Sequence, residues 1–174
     1  MPTDSAPSHD SDMPASAKAA RPIAQGGGAD TRAPQRLLKE ARLRTLLYIE
    51  DNPANMTLVE ELIARRPDLR LLKAVDGILG VALARASRPD VILMDINLPE
   101  ISGVDALAIL REDPATAHIP IVALTGNSMP RDIEFGLEVG FFSYITKPFK
   151  IREFMKTLNV AMEFAEKAAG ARMR

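Results

Sequence analysis

The stretch Pro89-Asp90-Val91-Ile92-Leu93-Met94-Asp95-Ile96-Asn97-Leu98-Pro99-Glu100-Ile101-Ser102-Gly103 decides the fold. Val91 to Met94 are four apolar residues with no polar alternation, the signature of a strand buried on both faces in the middle of a parallel sheet. The run stops at Asp95. Open α/β sheets gather their chemistry at the carboxyl ends of the central strands. Leu98-Pro99 and Ser102-Gly103 then break the chain and restart it as a helix. Taken alone, Asp95 reads more readily as a strand-end cap or turn residue. What separates the two readings is whether other polar groups converge on it.

Upstream, Leu46-Leu47-Tyr48-Ile49 is a second apolar run, and it too ends in acid, at Glu50-Asp51. Asn52 is suited to cap a helix and Pro53 to its first position. Leu58, Val59, Leu62 and Ile63 recur at helical spacing until Pro67. A strand over residues 69–74 and a helix over 77–87 lead into the Asp95 strand. Downstream, 104–111 reads as a helix through Val104, Leu107 and Leu110. A fourth strand over 119–124 ends at Thr125-Gly126-Asn127, and a helix over 131–139 is stopped by Gly140. A short fifth strand over 142–146 ends at Lys147-Pro148-Phe149. The last helix, over 151–168, carries Ile151, Phe154, Met155, Leu158 and Met162 as an inward stripe, and 169–174 reads as a C-terminal tail. Strand and helix alternate five times, which specifies a doubly wound parallel sheet over residues 44–168 with helices on both faces.

Composition narrows the function. The chain has 174 residues, 47% hydrophobic and 26% charged, enough for one globular domain with additional segments. It has no cysteine, which excludes disulfides and thiolate metal sites and fits a cytoplasmic home. No apolar run approaches the roughly 18 residues that a membrane span needs, and no secretion signal is visible. A net charge of −1 argues against a general nucleic-acid surface. Residues 1–35 are rich in Ser, Ala, Asp and Pro with the run Gly26-Gly27-Gly28, offer almost nothing to bury, and read as a disordered tail dispensable for folding. Over 35–43, Arg36, Lys39 and Arg42 among leucines suggest a short basic helix leading into the domain. Gly26-Gly27-Gly28 follows no strand, so no phosphate-binding loop is read there.

The strand ends supply the convergence. The first ends in Glu50-Asp51, the third in Asp95, the fourth in Thr125 and the fifth in Lys147, all on one rim of a parallel sheet. Clustered carboxylates repel one another unless a cation is bound. Oxygen ligands with no His or Cys beside them suit Mg²⁺. A lysine, a hydroxyl and a divalent cation around one carboxylate are what a phosphoryl group requires, and an aspartate can itself be the nucleophile that takes it.

In Ile49-Glu50-Asp51-Asn52, Leu93-Met94-Asp95-Ile96-Asn97-Leu98-Pro99, Ala123-Leu124-Thr125-Gly126 and Tyr144-Ile145-Thr146-Lys147-Pro148-Phe149 the chain resembles the receiver domains of two-component response regulators, over about residues 44–168. Glu50-Asp51-Asn52-Pro53 is similar to receivers attached to hybrid sensor histidine kinases. The resemblance implies the flavodoxin-like strand order 2-1-3-4-5 and phosphorylation at Asp95. It implies a Mg²⁺ held by Asp51, Asp95 and the Asn97 backbone carbonyl, with Glu50 acting through water. It makes Thr125 the switch hydroxyl, Tyr144 the switch aromatic, Lys147 the phosphate partner, and Asn97 and Gly126 neighbours of the phosphate. It also implies a cis Lys147-Pro148 peptide. Gly126 stands where the family often has alanine or serine, and Glu50 where an aspartate is frequent.

The function expected is that of a phosphoacceptor switch rather than a metabolic enzyme. The donor is a histidine kinase or a histidine phosphotransfer protein, because neither His9 nor His118 lies in a kinase-like helix. The output is a protein target, with no direct nucleic-acid or membrane contact. The expected output face is built from the 131–139 helix, the fifth strand and the last helix, and it could also support a phosphorylation-dependent homodimer. No stretch after the last helix is long enough for an output domain, so the alternatives are a stand-alone protein and the receiver piece of a hybrid kinase. A Mg²⁺-dependent phosphohydrolase with an aspartyl nucleophile needs a second acid two residues on, where Asn97 stands.

Overall fold

The computed structural model describes residues 43–126, 134 and 137–172. The tail and basic helix read over 1–43 lie outside these residues except for Leu43, which is not helical. So does most of the helix expected over 131–139, of which 134 and 137–139 are described and helical.

Five strands form one parallel sheet: β1 (Arg44–Ile49), β2 (Leu69–Ala74), β3 (Val91–Asp95), β4 (Ile121–Thr125) and β5 (Ser143–Thr146), in the order β2-β1-β3-β4-β5. The order expected from the family resemblance is the one found. The helices are α1 (Pro53–Ala64), α2 (Gly77–Ser87), α3 (Gly103–Glu112) and α4 (Ile151–Arg172). β3 and β4 are buried along their whole length, as an apolar run flanked by helix layers must be.

Side-chain alternation divides the core in two. Leu47, Ile49, Ile92, Met94, Ile121 and Ala123 point to the side covered by α2 and α3. Leu46, Tyr48, Val91, Leu93, Val122 and Leu124 point to the opposite side, against Val59 and Ile63 of α1 and Phe154, Leu158, Ala161 and Met162 of α4. Each fully buried aliphatic side chain contributes roughly 1.5–3 kcal/mol of transfer free energy, so both layers are needed to hold the sheet.

Local chemistry sets where the helices begin. The Asn52 side chain accepts from the Ala54 and Asn55 amides, with Pro53 at the first position of α1. Ser102 and Asp105 form a reciprocal capping box at α3. Arg111, at the other end of α3, donates to the carbonyls of Ala117, Ile119 and Gly140 and ties together the loops at the sheet's amino edge.

Several boundaries shift from the sequence reading, β5 for example beginning at Ser143 and not at 142, and two of the shifts have a clear cause. β4 begins at Ile121, not at 119, because Pro120 has no amide to donate to a neighbouring strand. α4 continues to Arg172 instead of stopping at 168, so the C-terminal tail expected from 169 is helical through 172. Ala168, Ala169 and Ala171 favour the helix, and the roughly 1 kcal/mol cost of Gly170 is too small to end it.

Candidate phosphoacceptor site

Strand register assembles the site. Ile49 pairs with Met94, so Glu50 and Asp95, each one residue later, stand level on adjacent strands. Asp95 pairs with Leu124, which puts Thr125 one step further out, and Thr125 pairs with Thr146, which puts Lys147 one step beyond that. The rim is therefore stepped, and the long lysine side chain reaches back across it.

Glu50, Asp95 and Thr125 are buried, at 1%, 6% and 5% exposure, whereas Asp51, Asn97 and Gly126 are exposed. The Asn97 amide donates to Asp95 Oδ1 at 3.0 Å. Lys147 Nζ donates to Asp95 Oδ2 and to Glu50 Oε2, each at 2.6 Å. Burial by itself lowers the pKa of Lys147, but its hydrogen bonds to Asp95 and Glu50 and their charges outweigh that and raise it. The ammonium is thus the resident counter-charge of two buried carboxylates.

Glu50, Asp51 and Asp95 each offer a carboxylate oxygen, and these lie within 4.8 Å of one another. The donor set is all oxygen, which fits a hard divalent cation. The sharp turn out of β3 depends on Gly103, whose amide donates to the Ile96 carbonyl at 2.8 Å. A Cβ at Gly103 would lie 2.5 Å from the Asp95 carbonyl oxygen. At Gly126 a Cβ would meet nothing within 4 Å, so the glycine is not demanded by packing and the departure from alanine or serine is sterically neutral. Lys147-Pro148 is cis.

Every site residue expected from the sequence and within this cluster is brought to one rim. Tyr144 lies apart, half-buried on β5, its ring edge-on to Phe141 with centroids 5.5 Å apart. Two residues went unrecognised in the sequence. Gly103 reads there only as a helix start, and its contact with the Asp95 carbonyl is a tertiary fact. Tyr48 reads as one more apolar strand residue, yet its hydroxyl donates to Glu50 Oε2 at 2.9 Å. The available signal was the i, i+2 spacing, which puts Tyr48 and Glu50 on one face of β1.

A doubly wound parallel sheet with two acids, an aspartate, a threonine and a lysine at the ends of β1, β3, β4 and β5 in turn is the arrangement of a signalling receiver. The chain belongs to the response regulator receiver domain family, which matches residues 46–159. It is 36% identical over 115 residues to the polar-differentiation response regulator DivK of Brucella anthropi, covering 66% of this chain and 93% of that one. It is similar, at 36% identity and a TM-score of 0.63, to the receiver domain of sensor histidine kinase PA1611 from Pseudomonas aeruginosa PAO1, covering 69% of this chain and 98% of that one. That structure has a magnesium ion coordinated in the active site cleft. The chemotaxis response regulator CheY4 of Vibrio cholerae aligns at a TM-score of 0.64 with 26% identity, over 68% of this chain and 98% of that one. The chain is accordingly a member of a family of signalling switches. No helix among the described residues is long and apolar enough to cross a membrane.

Proposed function

We propose that Asp95 accepts a phosphoryl group from the phosphohistidine of a histidine kinase or histidine phosphotransfer protein, and that the modified state is read by a protein partner in the cytoplasm. The observation that carries the reading is the Asp95 carboxylate itself. It is buried at the end of a central strand, held on one oxygen by a backbone amide and on the other by the Lys147 ammonium.

In the transfer, a carboxylate oxygen of Asp95 forms a bond to phosphorus as the bond from phosphorus to the donor imidazole nitrogen breaks; the donor ring carries a proton on its other nitrogen, so it leaves as neutral histidine and an acyl phosphate remains on Asp95. Lys147 turns from the carboxylates toward the incoming phosphoryl oxygens, and the Thr125 hydroxyl donates to one of them. Asn97 and Gly126 leave the approach open, both being exposed. Asp51, Asp95 and the Asn97 carbonyl would hold a Mg²⁺, with Glu50 acting through water; when bound, that ion neutralises charge on the transferred group. The chemistry we assign to the aspartyl group is self-phosphotransfer and self-dephosphorylation.

The output face we assign to β5 and α4. A groove of about 420 Å³ runs between them, lined by Tyr144, Thr146, Glu153, Lys156 and Val160. Drawing Thr125 toward the phosphoryl group empties space that Tyr144 can enter, and a partner that prefers this state shifts the population by its differential affinity. A phosphorylation-dependent homodimer through the same face is one form of such a partner.

The test is labelling with a small phosphodonor and Mg²⁺, with the adduct mapped by mass spectrometry. Asp95 should carry the phosphoryl group, and Asp95→Asn should abolish it. Labelling of Asp95→Asn at the wild-type level would refute the assignment. A phosphotransfer screen against histidine kinases then identifies the donor.

A further inference from the structure

Tyr48 is fully buried in the layer between the sheet and the α1 and α4 helices, among Leu46, Leu93 and Phe154. A phenol hydroxyl in such surroundings carries a substantial desolvation cost unless it finds a partner. Its partner is Glu50 Oε2, at 2.9 Å. The same oxygen accepts from Lys147 Nζ at 2.6 Å, and Glu50 Oε1 accepts from the Asn52 amide at 3.2 Å. The Glu50 carboxylate is therefore held from three directions: from inside the sheet by Tyr48, from beyond β5 by Lys147, and from the loop by Asn52. Of these donors, only Tyr48 is both rigidly packed and neutral.

We propose that Tyr48 is a positioning residue for the cation site, an inference that rests on the phosphoacceptor reading. Its hydroxyl fixes the orientation of Glu50 and shares the oxygen that Lys147 binds. Two consequences follow from removing it. The Glu50 carboxylate loses its hydrogen bond from the sheet interior, and its orientation is left to Lys147 and the Asn52 amide on the solvent side. The Lys147–Glu50 ion pair no longer shares its acceptor and tightens, so the ammonium competes harder with any cation for the acidic cluster. A third effect opposes these: Glu50 without the hydroxyl carries more of its own charge and attracts a cation more strongly. That gain is small, because Lys147 at 2.6 Å already compensates the same oxygen. Cation affinity should therefore fall.

The measurement is a Mg²⁺ titration of the full chain, by calorimetry and by the backbone amide shifts of Asp51 and Asn97. Tyr48→Phe keeps the ring and removes only the hydroxyl. Its Kd for Mg²⁺ should rise about tenfold, as when a group that orients a metal ligand is lost, with amide shifts remote from the rim unchanged. In a Glu50→Ala background the same substitution should alter the Kd by less than about twofold, because no carboxylate remains for the hydroxyl to orient. In the wild-type chain, which needs no variant to fold, the Tyr48 hydroxyl proton should exchange slowly and shift on saturation with Mg²⁺. A wild-type Kd retained in Tyr48→Phe, an equal loss in both backgrounds, or a hydroxyl resonance indifferent to Mg²⁺ overturns the inference while leaving Asp95 as phosphoacceptor. A wild-type chain that binds no Mg²⁺ overturns the cation site itself and this inference with it.

Discussion

Lys147 and Asp95 are 52 residues apart in sequence, and the lysine ammonium lies 2.6 Å from the aspartate Oδ2. The same ammonium serves Glu50, so one cation from the loop after β5 neutralises two carboxylates from β1 and β3. The lysine side chain is 18% exposed, and its two partners are almost wholly buried.

Removing that cation leaves two buried acids facing each other. Lys147→Met should destabilise the domain by about 3 kcal/mol in the absence of divalent ions. Mg²⁺ should restore more stability to the variant than it adds to the wild type, because it supplies the missing positive charge. Chemical denaturation with and without Mg²⁺ checks both. A variant as stable as wild type without Mg²⁺ would show that the bridge is not needed.

The pH dependence of this bridge has a definite sign. The pKa of Lys147 is higher in the folded than in the unfolded chain. Its contribution is therefore fully present below the unfolded value of about 10.5 and is lost as pH rises through the raised folded value. Stability measured from neutral pH into the alkaline range should fall less steeply in Lys147→Met than in wild type. Parallel profiles would contradict the assignment.

Asp51 is exposed, and its carboxylate belongs to the acidic cluster. Asp51→Ala should abolish Mg²⁺ binding and Asp95 labelling while the melting temperature stays within a few degrees, as expected when no core contact is lost. Labelling at the normal rate without a divalent cation would count against the cation's role.

Gly103 carries a steric requirement. The Cβ of an alanine would sit 2.5 Å from the Asp95 carbonyl oxygen and 2.8 Å from the Ile96 Cα, both backbone atoms that cannot swing aside. The roughly 0.5–1 kcal/mol that alanine gains over glycine in a helix is outweighed by an overpacking cost of about 1–3 kcal/mol. Gly103→Ala should lower stability and slow Asp95 phosphorylation by shifting the loop after β3, whereas Gly126→Ala, with open space around it, should change stability little. Denaturation curves and labelling rates of the two variants test the contrast.

Tyr144 touches Phe141 edge-on and lines the β5–α4 groove. Tyr144→Ala should cost the domain about 1 kcal/mol from the ring pair, leave Asp95 labelling nearly unchanged, and weaken phosphorylation-dependent binding or self-association. Partner binding that responds fully to phosphorylation in Tyr144→Ala would place the switch elsewhere.

The sequence alone determined the strands, the helices of the described residues and the residue type at every strand end, because these follow from local rules. An unbroken apolar run such as Val91–Met94 has only one comfortable environment, and alternation with amphipathic helices leaves few topologies. It also determined that acids, a hydroxyl and a lysine would share one rim, since parallel strands all end on the same side. The partners of those groups were decided only in three dimensions. That Lys147 reaches past Thr125 to bind Asp95 and Glu50 together depends on a stepped register between strands far apart in the chain. That Gly103 must lack a side chain depends on how closely α3 approaches the end of β3. Tyr48 belongs to the site because its hydroxyl emerges from the packed layer beneath Glu50, and no local pattern distinguishes a buried tyrosine that reaches a carboxylate from one that fills a core.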